Sequence, residues 1–121
     1  MKLEFIPAAQ LIRLFDFDTE QASRLQAIFA DLATITIRSV ELHEAGFVTA
    51  IDDCHLTLAV ARRDLDIVKT GEPATFQCAL TPETWENIHD LTEPFTHTDS
   101  AGFQWLIASP IRLLISNDGH W

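Results

Sequence analysis

The apolar residues of this chain change their period from two to 3.6 in two places, and each change falls on a helix-capping residue. In the first, Leu11, Arg13, Phe15 and Phe17 alternate against Ile12, Leu14 and Asp16, which reads as a strand from Gln10 to Phe17. Asp18 or Thr19 then offers an oxygen to cap a helix, and Gln21 stands three residues after Asp18, as in a capping box. Ala22, Leu25, Ile28, Phe29 and Leu32 follow at helical spacing. In the second change, Ala74, Phe76, Cys78 and Leu80 alternate inward. Thr81-Pro82-Glu83 then supplies an N-cap, a proline at the first helical position and an acid in the first turn. Trp85, Ile88 and Leu91 line the apolar side of this helix, and Pro94 ends it. Alternating strands and two amphipathic helices within 121 residues predict a single α+β domain spanning 1–121.

The remaining segments predict further strands. Thr34 to Leu42 is β-branched, with a change of phase near Ser39, and Phe47 to Ile51 reads as a short strand. Cys54, Leu56, Leu58 and Val60 form one face of a strand whose other face carries His55, Thr57, Ala59 and Ala61. Thr70-Gly71-Glu72-Pro73 is a turn, and Phe103 to Ile107 and Ile111 to Ile115 read as a closing hairpin. The expected architecture is a mostly antiparallel sheet of about five to seven strands with two helices packed on it. Leu25, Phe29, Leu32, Leu56, Leu58, Phe76, Trp85, Ile88, Trp105 and Leu113 are expected to share one core.

Charge narrows the classes of partner. There are 18 acidic and 8 basic side chains, a formal net charge of −10, which disfavours nucleic acid and anionic membrane surfaces. No window approaches the roughly 18 apolar residues of a membrane span. Glu4 and Pro7 interrupt any export signal at the start, and Cys54 and Cys78 read as free thiols, so a cytoplasmic location is expected. From Thr70 to Ile111 there is no Lys or Arg, and helical spacing places Glu83, Glu86 and Asp90 on one side. This side is either a solvated face or a docking surface for a basic protein partner. Arg62-Arg63 is the only adjacent basic pair; it anchors an anion or pairs with Asp64 and Asp66.

Asp16-Phe17-Asp18-Thr19, at the end of a hydrophobic strand, is similar to the opening motif of haloacid-dehalogenase-type phosphatases. Glu20 stands where that family carries Thr or Val, and helix capping by Asp18 accounts for the pattern. A calcium loop with the same acid spacing would need Gly at Gln21 and Glu at Ala27. Asp52-Asp53-Cys54-His55 is the densest group of metal-ligand types, but extended Cys54 and His55 point to opposite faces. A set such as His55 and Asp53 with His89 or His97 would have to assemble from distant segments. No metal or cofactor is therefore expected. No nucleophile elbow or Gly-rich phosphate loop is present, so no catalytic motif is readable. The expected function is a small acidic interaction or regulatory module without catalysis, acting on a basic protein or as a homo-oligomer. The alternative is a small-molecule-binding domain or an undescribed enzyme with a cleft near Asp53 and His55.

Overall fold

The computed structural model describes residues 1–98, 102–108 and 110–121. Strands β1 (Lys2–Ile6) and β2 (Leu11–Phe15) lead into helix α1 (Thr19–Ala33). Short strands β3 (Ser39–Glu41) and β4 (Thr49–Ala50) are followed by β5 (His55–Val60), β6 (Ile67–Lys69) and β7 (Thr75–Leu80). Helix α2 (Pro82–Thr92) and strands β8 (Phe103–Ile107) and β9 (Arg112–Ser116) complete the order. No helix among the described residues is long and apolar enough to cross a membrane.

Both helices start where the capping residues predict. The Asp18 carboxylate accepts from the Gln21 N–H at 2.8 Å, and the Gln21 side chain accepts from the Asp18 N–H, closing the capping box. The Thr81 hydroxyl accepts from the Thr84 N–H at 3.2 Å, with Pro82 at the first helical position. The resemblance of Asp16 and Asp18 to a phosphatase motif ends here. Asp18 is spent on the cap, and Asp16 is exposed and paired with Lys2 at 2.9 Å.

The fold class is α+β, but the sheet differs from the expected one. The strands form two mixed sheets, ordered β4-β1-β2-β9-β8 and β3-β5-β7-β6. The pairs β1·β4, β2·β9 and β5·β7 are parallel. The Thr70–Pro73 turn does make a hairpin, between β6 and β7. Because β6 lies on the far edge, β7 returns beside β5 in the same direction. The last strand inserts beside β2, far from it in sequence, and such non-local pairing leaves no trace in local periodicity. β1 has no strand pattern strong enough to have been read, and its pairing with β2 widens the first sheet.

One cluster of buried side chains draws on both sheets and both helices. Phe5 meets Phe76 across the sheets with ring centroids 4.6 Å apart. Phe29 of α1 stacks on Trp85 of α2 at 5.8 Å, and the Trp85 indole N–H donates to the Ala59 carbonyl of β5 at 2.9 Å. Trp105 is the member of the expected core that lies elsewhere. A bulge between Trp105 and Ile107 changes the phase of β8, so Leu106 and Ile107 turn inward, while Trp105 is half-buried beneath the Arg112 guanidinium, 4.6 Å from it. Leu91 is likewise partly exposed on α2, and Thr92 is buried near its end.

The expected strand from Thr34 is replaced by a helix stop. The Ile35 N–H donates to Leu32 O at 3.2 Å and the Thr36 N–H to Asp31 O at 2.8 Å, the bond pattern of a Schellman motif. This places Ile35 at φ 56°, a left-handed conformation that a β-branched residue adopts only under strain. Only Ser39–Glu41 then pairs as a strand. Replacing Ile35 with Gly is therefore expected to stabilise the fold by about 1 kcal/mol, because the left-handed penalty is removed at a partly exposed site. Chemical denaturation of Ile35→Gly checks this; an unchanged or lower midpoint contradicts it.

Candidate functional site

Helix α2 borders two hollows of opposite charge. The first lies between its exposed edge and the C-terminal turn of α1. It has a volume of about 210 Å³ and is lined by Ala30, Ala33, Thr34, Glu86, His89 and Asp90. No Lys or Arg lines it, and the last turn of α1 carries no basic residue. The negative end of a 15-residue helix and two carboxylates thus face the same space. The His89 ring lies 3.0 Å from the Asp90 carboxylate, and the His89 carbonyl accepts from the Gln26 side chain at 3.2 Å. Gln26 also donates to Glu93, whose other oxygen lies 2.8 Å from the His97 ring. These contacts, the Gln26 bond foremost, hold the Glu93 carboxyl below its ordinary range. Of the three acids expected on one face, Glu86 and Asp90 meet at this hollow. Glu83 is exposed one turn earlier and does not line it.

The second hollow, about 500 Å³, opens where β5 and β7 end and α2 begins. Ile35, Arg38, Val60, Ala61, Arg62, Thr81 and Pro82 line it. Arg38 was not singled out in the sequence. It reaches Arg62 through the antiparallel β3·β5 pairing, in which the Val60 N–H donates to the Arg38 carbonyl at 2.9 Å. Among the described residues neither guanidinium has an ion-pair partner. Arg62 and Arg63 do not pair with Asp64, which instead accepts from the Thr81 N–H at 2.9 Å and the Thr84 hydroxyl at 2.8 Å. The Thr81 bond, helped by Thr84, holds the Asp64 carboxyl below its ordinary range. Arg63 is exposed and does not line the hollow.

Neither Asp53 nor His55 lines either of these two hollows. Asp52 and Asp53 are exposed in successive left-handed conformations, with φ of 51° and 56°. His55 stacks on His43 with centroids 4.1 Å apart and planes 12° from parallel. The metal-capable group among the described residues is a different one, Glu41, His43 and Glu44, with ligand atoms within 4.8 Å of one another. His43 Nδ1 accepts from the Leu56 N–H at 3.1 Å, so the neutral ring carries its proton on Nε2. A cation at Nε2 would force that proton onto Nδ1, against the Leu56 N–H donor. His89 and His97 are engaged by Asp90 and Glu93, away from the His43–His55 stack.

Arg13 and Arg112 occupy the outer face of the five-stranded sheet and are already engaged. Arg13 pairs with Glu4 at 2.7 Å, donates to the Gly119 carbonyl at 2.9 Å and lies over Phe15. Gly119, at φ 85°, permits that approach, since a Cβ there would fall 2.7 Å from the guanidinium. Arg112 donates to the Ala9 carbonyl at 3.2 Å and covers Trp105. Phe103 and Trp121 on this side are about half exposed, at 48% and 50%.

Neither thiol is placed for nucleophilic chemistry. Burial pushes Cys54 up to about 12 and raises Cys78 as well. Iodoacetamide at pH about 8 is expected to leave both unmodified in the folded protein and to label both after denaturation. Native labelling of Cys54, read by mass spectrometry, contradicts this. The Asp64 cap also sets a pH dependence. Its lowered pKa stabilises the fold above the ordinary Asp value of about 3.9, and the contribution is lost as pH falls through the folded value. Asp64→Asn should therefore melt below the wild type at neutral pH, with the gap closing in acid; a gap independent of pH contradicts the charge argument. Comparison with family models, curated proteins and solved structures finds nothing that matches this chain.

Proposed function

We propose that this protein is a non-catalytic interaction module that docks a basic segment of a protein partner on the exposed edge of α2. The observation that carries the reading is the hollow framed by Glu86, His89 and Asp90 against the C-terminal turn of α1. Its size suits one long basic side chain, and its polarity comes from two sources. The Glu86 and Asp90 carboxylates supply full charges, and the unneutralised end of α1 adds partial negative charge. Ala30 and Ala33 leave room for the aliphatic stem of a Lys or Arg, which buries its methylenes while its head meets the acids. Neither Lys nor Arg is among the residues that line this edge. The inert thiols and the engaged histidines give no support to a catalytic reading.

A short Lys- and Arg-rich peptide, titrated while backbone amide resonances are followed, tests the proposal. The expected result is a saturable shift of resonances at 30–34 and 86–90. Glu86→Lys with Asp90→Lys should weaken binding by about tenfold or more, most strongly at low salt, because exposed charges are screened beyond about 8 Å at physiological ionic strength. Unchanged affinity in the reversed variant, or shifts confined to another surface, contradicts the docking edge.

A further inference from the structure

We infer that the hollow bordered by Arg38 and Arg62 binds a small organic anion, a phosphate or carboxylate group carried on a compact apolar body. In a chain of net charge −10, two exposed arginines, Arg38 and Arg62, line one space whose lining residues include no acid. Three of the other four arginines are engaged, and the fourth, Arg63, is exposed and lines no part of this hollow. Arg13 and Arg24 are held by Glu4 and Glu20, and Arg112 is held by a carbonyl and an indole face. Arg38 and Arg62 have no such partner among the described residues. Their nearest sequence candidate, Asp64, has no ion pair with either and is bonded instead to Thr81, at the edge of the hollow, and to Thr84. Two like charges on one hollow favour an anion there, and the planar forks of arginine suit the paired oxygens of a phosphate or carboxylate.

The rest of the lining specifies what the anion is attached to. Ile35, Val60, Ala61 and Pro82 are apolar, and the space of about 500 Å³ falls in the range of small-molecule sites, which are mostly apolar with a few orienting charges. The hollow lies at the carboxyl ends of the parallel strands β5 and β7, beside the start of α2. Asp64 already occupies the first N–H of the capping region of α2, so the arginines rather than the helix end hold the ligand. Ile35, strained at φ 56° yet 43% exposed, stands at the rim, a costly conformation that exposes an apolar side chain to whatever enters. This site is distinct from the acidic edge of α2 and does not depend on it.

The test is a thermal-stability and amide-shift titration at constant ionic strength with phenyl phosphate, benzoate, inorganic phosphate and, as the neutral control, phenol. A ligand of the native state raises the melting temperature saturably. The expected result is a saturable rise with phenyl phosphate or benzoate, the responding compound naming the anion, together with shifts at residues 35, 38 and 60–62. Phenol should give none, and inorganic phosphate should bind more weakly because it forgoes the apolar lining. Arg38→Ala with Arg62→Ala should weaken binding by about tenfold or more. Arg38→Lys with Arg62→Lys, which keeps the charge and loses the fork, should weaken it as well, and serves alone if the alanine variant does not fold. No saturable response to any anion overturns the inference, as does equal binding by the variants or equal affinity for inorganic and phenyl phosphate. A concentration-dependent dimer that the arginine variants dissolve overturns it too, by assigning the hollow to a second copy of the chain.

Discussion

The Trp85 side chain fixes the position of α2, and both charged surfaces follow from that position. Its indole stacks on Phe29 of α1, and its N–H reaches the Ala59 carbonyl of β5, so one residue ties the second helix to the first helix and to the second sheet. A buried tryptophan keeps its large apolar area only if the indole N–H is satisfied. Here the acceptor belongs to a strand whose inward residues Leu56 and Leu58 are themselves fully buried. With the inner side of α2 held, its N-terminus lies beside Arg38 and Arg62 and its outer edge beside the end of α1. Displacing α2 would disturb both hollows together.

The two surfaces divide the charge of a strongly acidic chain. Most basic side chains outside the arginine hollow are absorbed locally, by Glu4, Glu20, Asp16 or aromatic rings. The acids on α2 are not absorbed in the same way. His89 lies on Asp90, and Glu93, just after α2, meets Gln26 and His97; among the described residues none of these acids pairs with Lys or Arg. A field of one sign on an exposed edge acts mainly on encounter rate and partner choice. An unpaired guanidinium pair with an apolar floor acts instead as a short-range site for a small ligand. On the proposed reading the acidic edge docks a partner and the arginine hollow binds a small ligand.

Much of the local structure was legible in the sequence because it is written in near neighbours. Asp18 with Gln21, Thr81 with Pro82, and the alternation of Leu56, Leu58, Phe76 and Cys78 each act within a few residues, and each has the expected role. What was not legible depends on distant pairing or on strain. The parallel neighbours of β5 and β2 arrive from remote segments. Arg38 joins Arg62 only once β3 has paired with β5. Ile35 misled because a β-branched residue signals strand, whereas the end of α1 needed a left-handed residue and took an isoleucine. Trp105 misled because one extra residue in β8 exchanges inside for outside. Of the site residues, the association of Glu86 with Asp90 followed from helical spacing. The contribution of the end of α1 did not, since it depends on how the helices pack.

The claim that Trp85 holds α2 in place is tested most directly by hydrogen exchange at the three indole N–H groups, followed by NMR in one sample. Trp121 is half exposed and Trp105 half-buried, so they provide internal references. The account predicts that the Trp85 proton persists longest and exchanges only with global unfolding, showing a nuclear Overhauser contact to the Phe29 ring while it does. Exchange of the Trp85 proton as fast as that of Trp121, under conditions where the core amides of β5 remain protected, would contradict it.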